Sequence, residues 1–299
     1  NAPVYVYADG PITTTAAPTD SGDPGSGGTS SGRIVTGDLD NPLDYVKLRN
    51  DGNIFSFGDA SALVRVEATT RVVDMEVNPT FLGMVVLQMD GKVLGSGDLG
   101  LVFSRVLQPN GTFAFPADQV YFFKNDLAGG QLIQNPTESQ ITIESARDVE
   151  VDFTSGAIYV LDGDGDMLFL GKADVALRPQ AVGIDLYRDM ELGPGGNSMY
   201  FLTGNGMMSA VGSPSVPSWS NIVVGDVYRD MSLRVRGGVA THVVITDADG
   251  NLTVVGPAGS VSSTILSLEL TLPISEPGVI RQVKLFPDTD NTLMLIEGG

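Results

Sequence analysis

The 299-residue chain contains no cysteine, and histidine occurs once, at His242. This composition excludes disulfides, thiolate metal centres, cysteine nucleophiles and His-rich metal sites. The 36 acidic and 17 basic side chains give a net charge of −19, which argues against nucleic acid or an anionic membrane surface as a partner, because both are bound through clustered Lys and Arg. No apolar run approaches the length of about 18 residues that a membrane helix needs, so we expect no membrane insertion.

The first 32 residues divide into two segments of contrasting composition. Residues 1–12 hold one alternating apolar segment, Val4-Tyr5-Val6-Tyr7, which predicts a short β-strand. Residues 13–32 contain only Thr, Ala, Pro, Asp, Ser and Gly, which predicts a flexible linker. A strand on such a linker is a template for β-augmentation, so residues 4–7 are candidate self-association residues that dock on their own chain or on a neighbour. Because the sequence starts at Asn1 without Met, we also expect a mature extracellular or cell-surface protein.

The remaining residues, 33–299, carry an internal repeat. Strand-like runs alternate with Gly, Asp and Asn turns, and an Arg-Asp pair followed by apolar residues recurs with Asp148, Asp189 and Asp230 at a spacing of 41 residues. Each pair is followed by an apolar strand, a turn rich in Asp and Gly, and a further strand that ends in Gly. A repeat of this length that contains several strands predicts one blade of a β-propeller.

The repeats predict an all-β fold with a single β-propeller of seven blades. Seven anchors of the motif fall at positions 44, 74, 118, 148, 189, 230 and 281. Six blades are the alternative, because the shorter spacings that follow Asp44 and Asp118 also fit incomplete blades. Segment 33–38 resembles the missing second half of the last repeat at 292–299, so we expect this N-terminal strand to close the ring by completing the final blade.

The repeat also resembles a known group of proteins. Its Arg-Asp motif, the Tyr-Val-Leu-Asp-Gly-Asp-Gly stretch at 159–165 and the closing Gly171 are similar to the units of uncharacterised secreted β-propellers of bacteria and archaea, and more distantly to YVTN and NHL repeats. The resemblance covers about residues 33–299 and implies a secreted propeller. It implies no activity, because propellers serve as enzymes, lectins, scaffolds and adhesins alike.

One turn has the spacing of a calcium loop. Asp162, Asp164 and Asp166 alternate with glycine, and calcium takes about six to eight oxygen ligands, of which such a turn supplies three. The glutamate that closes an EF-hand loop is replaced here by Ala173. Asp-Gly is also the favoured turn of a β-hairpin, and the stretch falls where the repeat needs a turn. The three aspartates are therefore candidate calcium ligands, a plain turn is the favoured interpretation, and no other cofactor is expected.

No catalytic constellation stands out from the repeat. His242 lies on a predicted strand, and nothing in the sequence orients a serine toward it as a nucleophile. The Arg-Asp pairs recur in blade after blade, which favours a structural role in which charge-assisted hydrogen bonds join the blades. Asn110 and Asn251 begin N-x-T sequons and are glycosylation candidates if the host glycosylates.

These features favour a non-catalytic extracellular structural protein that donates its N-terminal strand and self-associates into a surface fibre or layer. Its expected partners are further copies of the chain, as a homo-oligomer or polymer. The alternative is a secreted binding module whose propeller face recognises a glycan or a surface protein, with or without calcium. A hydrolase acting in the central channel is the least favoured hypothesis, because the chain has almost no histidine and no cysteine.

Overall fold

The computed structural model describes residues 4–9, 32–35, 46–49, 54–56, 68–78, 83–97, 115, 117–126, 129–180, 186–225, 227–257, 261–262, 278–285 and 292–298. Their regular structure is almost entirely β-strand, with one-turn 3-10 helices at Ala117–Gln119, Glu138–Gln140 and Pro194–Gly196. No helix within these ranges is long and apolar enough to cross a membrane. The prediction of an all-β chain is confirmed.

The described strands form six sheets, which we number in chain order and give from one hydrogen-bonded neighbour to the next. The first sheet contains β2 (Gly32–Val35), β3 (Val46–Arg49) and β4 (Ile54–Ser56), and the second contains β5 (Val72–Val77), β6 (Gly83–Gln88) and β7 (Val93–Gly97). The third contains β10 (Ala146–Asp152), β11 (Ala157–Asp162), β12 (Met167–Gly171), β8 (Val120–Lys124) and β9 (Gln131–Gln134). The fourth contains β13 (Tyr187–Leu192), β14 (Ser198–Thr203), β15 (Met207–Gly212) and β16 (Trp219–Ser220). The fifth contains β17 (Tyr228–Arg236), β18 (Val239–Asp247), β19 (Leu252–Val255) and β20 (Val261–Ser262), and the sixth contains β21 (Gly278–Leu285), β22 (Thr292–Gly298) and β1 (Val4–Asp9).

The repeated unit is an antiparallel meander whose first strand carries a β-bulge. The pairing of β10 with β11 shifts between Ala146 and Asp148, so that Arg147 is the extra residue. The same shift occurs just before the matching residue of four other first strands, namely Asp74, Asp189, Asp230 and Gln282. A bulge places two residues opposite one and re-aims the side chains beside it. The Arg-Asp motif of the sequence therefore marks the position of the bulge.

Apolar side chains fill the spaces between successive sheets. Strands β6, β11 and β14 are buried along their whole length, which requires packing on both faces of the sheet. One apolar cluster joins the second sheet to the third, another joins the third to the fourth, and a further one joins the fourth to the fifth. The first strands β5, β10, β13, β17 and β21 contact one another in that order. Small twisted meanders packed face to face in sequence are the architecture of a β-propeller.

The turn between the second and third strands of a unit fits against the first strand of the next unit. Gly165 and Gly206 occupy these turns with φ of +84° and +93°. A Cβ atom at Gly165 would collide with the ring of Tyr187, and one at Gly206 would collide with the ring of Tyr228. Glycine is required at both places, because the backbone is left-handed and an aromatic ring of the next sheet approaches it closely.

Two of the seven predicted anchors do not begin a sheet. The residues after Asp118 form β8, which pairs with β12 on the outer side of the third sheet. The residues after Asp44 form β3, which is the middle strand of the first sheet. Alternating apolar and polar residues indicate only that a strand is half-buried. They do not indicate which strands pair with it, so the pattern is the same in a first, a middle and an outer strand of a sheet.

The strand that lies beside the final hairpin also differs from the expectation. Segment 33–38 was expected there, but Gly32–Val35 pairs with β3 in its own sheet. The strand that pairs with β22 is β1, Val4–Asp9. Pairing β2 with β3 closes a loop of only ten residues, 36–45, so its entropic cost is small. The predicted linker, 13–32, lies outside the described residues except for its last residue.

Candidate functional sites

Buried carboxylates join successive sheets at their first strands. In each joint the Oδ2 atom of an aspartate accepts a hydrogen bond of 2.6–2.7 Å from a main-chain N–H of the next sheet. The donor residue comes directly after the matching aspartate of that sheet. The pairs are Asp74 with Val149, Asp148 with Met190 and Asp189 with Met231. The three aspartates are at most 1% exposed. Leaving such a buried N–H without its acceptor would be costly. The carboxylates therefore hold adjacent sheets in register.

These joints give the Arg-Asp motif a structural role of the kind that the sequence predicted. The acceptor is the expected aspartate, and one donor across the sheet boundary is a main-chain N–H. The guanidinium of Arg188 donates within its own strand, from Nη1 to the carbonyl of Tyr187 at 2.7 Å. Sequence reasoning missed this donor because every residue except proline has a main-chain N–H, so the donor leaves no mark in the sequence.

The Asp162 turn is built around its own carboxylates. Asp162 is 2% exposed, and its Oδ1 atom accepts hydrogen bonds from the N–H groups of Asp164 and Asp166 at 3.0 and 2.9 Å. Oδ1 of Asp166 accepts a bond of 2.6 Å from the N–H of Asn125, whose Nδ2 donates to the carbonyl of Asp164 at 2.7 Å. The turn is thereby bonded to the end of strand β8 at the outer side of the same sheet.

The structure does not assemble the three predicted calcium ligands into a metal site. Among the residues that the structure describes, no group of three or more His, Cys, Asp or Glu side chains could hold a metal ion. Asp162 and Asp166 each direct a carboxylate oxygen at main-chain N–H donors instead. This geometry favours the plain-turn interpretation of the Asp-Gly-Asp-Gly-Asp stretch.

The buried turn titrates far from the usual range of an aspartate. Burial raises the pKa of Asp162 to about 7, and the charges of Asp166 and Asp164 act in the same direction. Burial also raises the pKa of Asp166, although the hydrogen bond from the N–H of Asn125 opposes this shift. Removing a carboxylate from water disfavours its charged form. The turn therefore gains charge as the pH rises toward neutrality.

A second turn repeats the arrangement at a more exposed place and contains one of the sequons. Oδ1 of Asp247 accepts hydrogen bonds of 2.9 Å from the N–H groups of Asp249 and Asn251. Nδ2 of Asn251 donates to Oδ2 of Asp247 at 2.9 Å. Asn251 is exposed, and its glycosylation stays a prediction. The other candidate, Asn110, lies outside the described residues.

His242 has the surroundings of a structural residue. It lies on β18 opposite Arg234. Burial lowers the pKa of His242, and the charge of Arg234 lowers it further. Its buried Nδ1 atom has no hydrogen-bond partner among the described residues, whereas a catalytic histidine is held in place by an acceptor at this atom.

The predicted self-association residues lie on the edge strand of the sixth sheet. Strand β1 pairs in parallel with β22, from Val4 opposite Thr292 to Asp9 opposite Glu297. In the third, fourth and fifth sheets the strand next to the second strand is antiparallel and comes from the same repeat. In the sixth sheet this place is taken by a parallel strand from the other end of the chain.

Strand order and packing define the class of this protein, which is an all-β chain with the architecture of a β-propeller. No protein-family model matches the chain, and no curated protein matches it. Solved structures with a similar fold include the β-propeller domain of Cps50 (Swd1) from Myceliophteria thermophila, with 10% identity, a TM-score of 0.42 and coverage of 79% of this chain and 85% of that chain. The WD40 β-propeller domain of Doa1 is similar at 11% identity, with a TM-score of 0.48 and coverage of 86% and 72%. The class assignment rests on the strands of this chain itself.

Proposed function

We propose that this chain is a non-catalytic extracellular structural protein, a β-propeller subunit that donates its N-terminal strand to another copy and so builds a surface fibre or layer. The observation that carries the proposal is the parallel pairing of β1 with β22. Residues 10–31, which separate β1 from β2, have the composition of a linker. A strand on such a tether can occupy this edge of its own chain or the same edge of a neighbour.

The direction of the pairing favours a donated strand. A strand that follows a short turn pairs antiparallel, as β12 does with β11. Strand β1 is joined to β22 only through the rest of the chain, residues 10–291, so no hairpin turn fixes β1 at this edge. The six register pairs of β1 with β22 bring main-chain hydrogen bonds that give affinity whichever chain supplies the strand.

The tether is long enough to reach a neighbouring copy. Its 22 residues, 10–31, extend to at most about 75 Å and average about 25 Å as a flexible coil. Pairing within one chain and pairing between chains contain the same main-chain bonds, so the effective concentration of the acceptor edge decides between them. A fibre or layer holds a neighbour's edge close by, which favours exchange between chains.

We place six blades in the propeller, and the first sheet closes the ring. Strand β2 contacts β5 and also β21 and β22, which is the arrangement expected of a closed ring. The count of seven treated the outer hairpin after Asp118 as a separate blade. The acceptor strand β22 then lies beside the closure of the ring, where the two ends of the chain meet.

The use of the acidic side chains supports a non-catalytic role. The recurring buried aspartates are engaged in joints between sheets, and the Asp162 carboxylate holds its own turn. The extracellular location is supported by the resemblance of the repeat to secreted propellers. It is also supported by the high Asp content, the few lysines and the Ser/Thr/Gly-rich composition of residues 13–32.

A second candidate function is that of a binding module for a surface protein or a glycan. One observation favours it: the loop between β16 and β17 presents Ile222 and Val224 to solvent, 67% and 104% exposed. Exposed apolar side chains on a loop carried by a rigid scaffold are typical of recognition sites. In this case the chain stays monomeric and the loop carries the affinity.

The absence of cysteine makes strand donation directly testable. Val6 pairs with Met294, so a mixture of Val6→Cys chains and Met294→Cys chains should form a two-chain disulfide species on mild oxidation, seen on a non-reducing gel. A matched control mixture pairs Val6→Cys with Ser220→Cys, which puts the second thiol on the exposed strand β16, and it should give no linked species. If the mixture yields no two-chain product while the double variant Val6→Cys/Met294→Cys cross-links within one chain, strand donation is excluded.

A further inference from the structure

Strand β9 is an exposed edge that strand donation does not use. It is the outermost strand of the five-stranded third sheet, and none of the described strands pairs with its outer side. Gln131, Leu132 and Gln134 are exposed, Leu132 by 40%. The outer strands of the fourth and fifth sheets, β16 and β20, are only two residues long. The third sheet therefore presents a longer edge than these neighbours.

Strand β9 lacks the features that protect an edge from pairing. Natural edge strands carry charges, prolines or bulges that block the approach of another strand. The sequence Gln-Leu-Ile-Gln contains neither charge nor proline, and its pairing with β8 has no register shift. On a chain with a net charge of −19, two copies meet at the lowest electrostatic cost through an uncharged edge.

The hydrogen bonds of β9 determine which main-chain groups the edge offers. The N–H of Asn135, just after β9, donates to the carbonyl of Val120 at 3.0 Å. Main-chain groups point alternately to the two sides along a strand, so those of Ile133 also face β8. The N–H and carbonyl groups of Leu132 and Gln134 consequently point away from the sheet, where another antiparallel strand can bind them.

We propose that β9 pairs with β9 of a second copy of this chain, antiparallel about a two-fold axis at Ile133. Leu132 then lies opposite the partner's Gln134, and the two such pairs exchange main-chain hydrogen bonds. The charges at the two ends of the edge are complementary. Lys124 is exposed beside Gln131, Glu138 is exposed beyond Gln134, and an antiparallel pair brings opposite ends together. This contact joins propellers side by side, independently of where β1 docks.

A single introduced cysteine tests the register of this pairing. Residues at a non-hydrogen-bonded antiparallel position have Cα atoms about 4.5 Å apart, which a disulfide can span. The full-length Ile133→Cys variant should therefore oxidise to a covalent dimer. Leu132→Cys and Gln134→Cys are matched controls, because each is offset from its own copy by two residues along the strand and should not give the dimer band. Equal cross-linking at all three positions, or no dimer from Ile133→Cys, would overturn the proposal.

A charge swap tests the same contact without thiols and separates it from strand donation. Leu132→Glu should reduce the dimer fraction in sedimentation velocity, because it adds a negative charge on each side of the two-fold axis. Mixing Leu132→Glu with Gln134→Lys places the new charges opposite one another and should restore a heterodimer. Both side chains are exposed, so circular dichroism should show a folded protein, and residues 1–12 are present in every sample. A dimer fraction that Leu132→Glu leaves unchanged, or that the mixture does not restore, contradicts β9 pairing.

Discussion

Two sets of buried aspartates in this protein use the same carboxylate in different ways. Asp148 and Asp189 accept hydrogen bonds from the N–H groups of the next sheet, whereas Asp162 accepts them from its own turn. At the joint between sheets the same residue type, aspartate, recurs in the second, third and fourth sheets. The residue type in the turn is kept less strictly: the fifth sheet has Asp247 at this place, but in the fourth sheet Thr203 Oγ1 accepts the equivalent bond from Met207 at 3.0 Å.

The difference has a geometric cause. A joint between two sheets needs an acceptor that spans a fixed gap, because both sheets are held by their own cores. A turn can adjust its backbone by tenths of an ångström, so any short side chain with an oxygen closes it. We infer that repeats keep the residue types that bridge rigid units more strictly than those that act within one unit.

Removing a carboxylate between sheets is expected to have the largest effect. Asp189→Ala leaves the buried N–H of Met231 without its acceptor, and we expect a loss of about 2–4 kcal/mol in the free energy of unfolding. Asp189→Asn keeps an acceptor oxygen and should lose less. Denaturant titration followed by circular dichroism measures both changes.

The matched control for this comparison is Asp249→Ala. Asp249 is an exposed turn residue, and its replacement should change the free energy of unfolding by less than about 0.5 kcal/mol. Equal midpoints for Asp189→Ala and Asp249→Ala would mean that the joint contributes nothing and that apolar packing alone holds the sheets together.

Replacing the glycine of the Asp162 turn should have an intermediate effect. Gly165→Ala places a methyl group against the ring of Tyr187 at a φ of +84°, and we expect a loss of about 2 kcal/mol from strain and overpacking together. Gly195 has a similar φ of +74° with nothing within 4 Å of its added Cβ. Gly195→Ala therefore isolates the strain, about 1 kcal/mol. Thermal unfolding of the two variants separates the packing of the turn against the next sheet from its backbone conformation, and equal losses would show that the packing is unimportant.

The repeat made the propeller architecture predictable from sequence, because Asp148, Asp189 and Asp230 recur with the spacing of one unit. The outer hairpin of β8 and β9 was not predictable, because its alternation is that of any half-buried strand and its partner β12 lies later in the chain. The pairing of β1 with β22 joins the two ends of the chain, and no local pattern encodes such a contact. The carboxylates of Asp162 and Asp166 were found by their spacing, but their burial, which decides how they titrate, depends on the packing around the turn.

Neutralising the turn carboxylate should have the smallest effect on stability in acid solution, where the wild-type carboxyl is already protonated, and should act mainly on the pH dependence of stability. The pKa of Asp162 is raised from 3.8 to about 7 in the folded protein, so between these values the folded state binds a proton that the unfolded state has released. Stability should therefore fall as the pH rises from about 4 to about 7, and should change little above this window through this group.

Asp162→Asn keeps an oxygen for the N–H groups of Asp164 and Asp166 but cannot ionise. Its unfolding midpoint should vary less with pH than that of the wild type, and at pH 8 the variant should be at least as stable. Some slope should remain, because the pKa of the neighbouring Asp166 is raised as well. The control, Asp247→Asn, makes the same change in the more exposed turn of the fifth sheet. An equal flattening by both substitutions would show that burial does not distinguish the two turns.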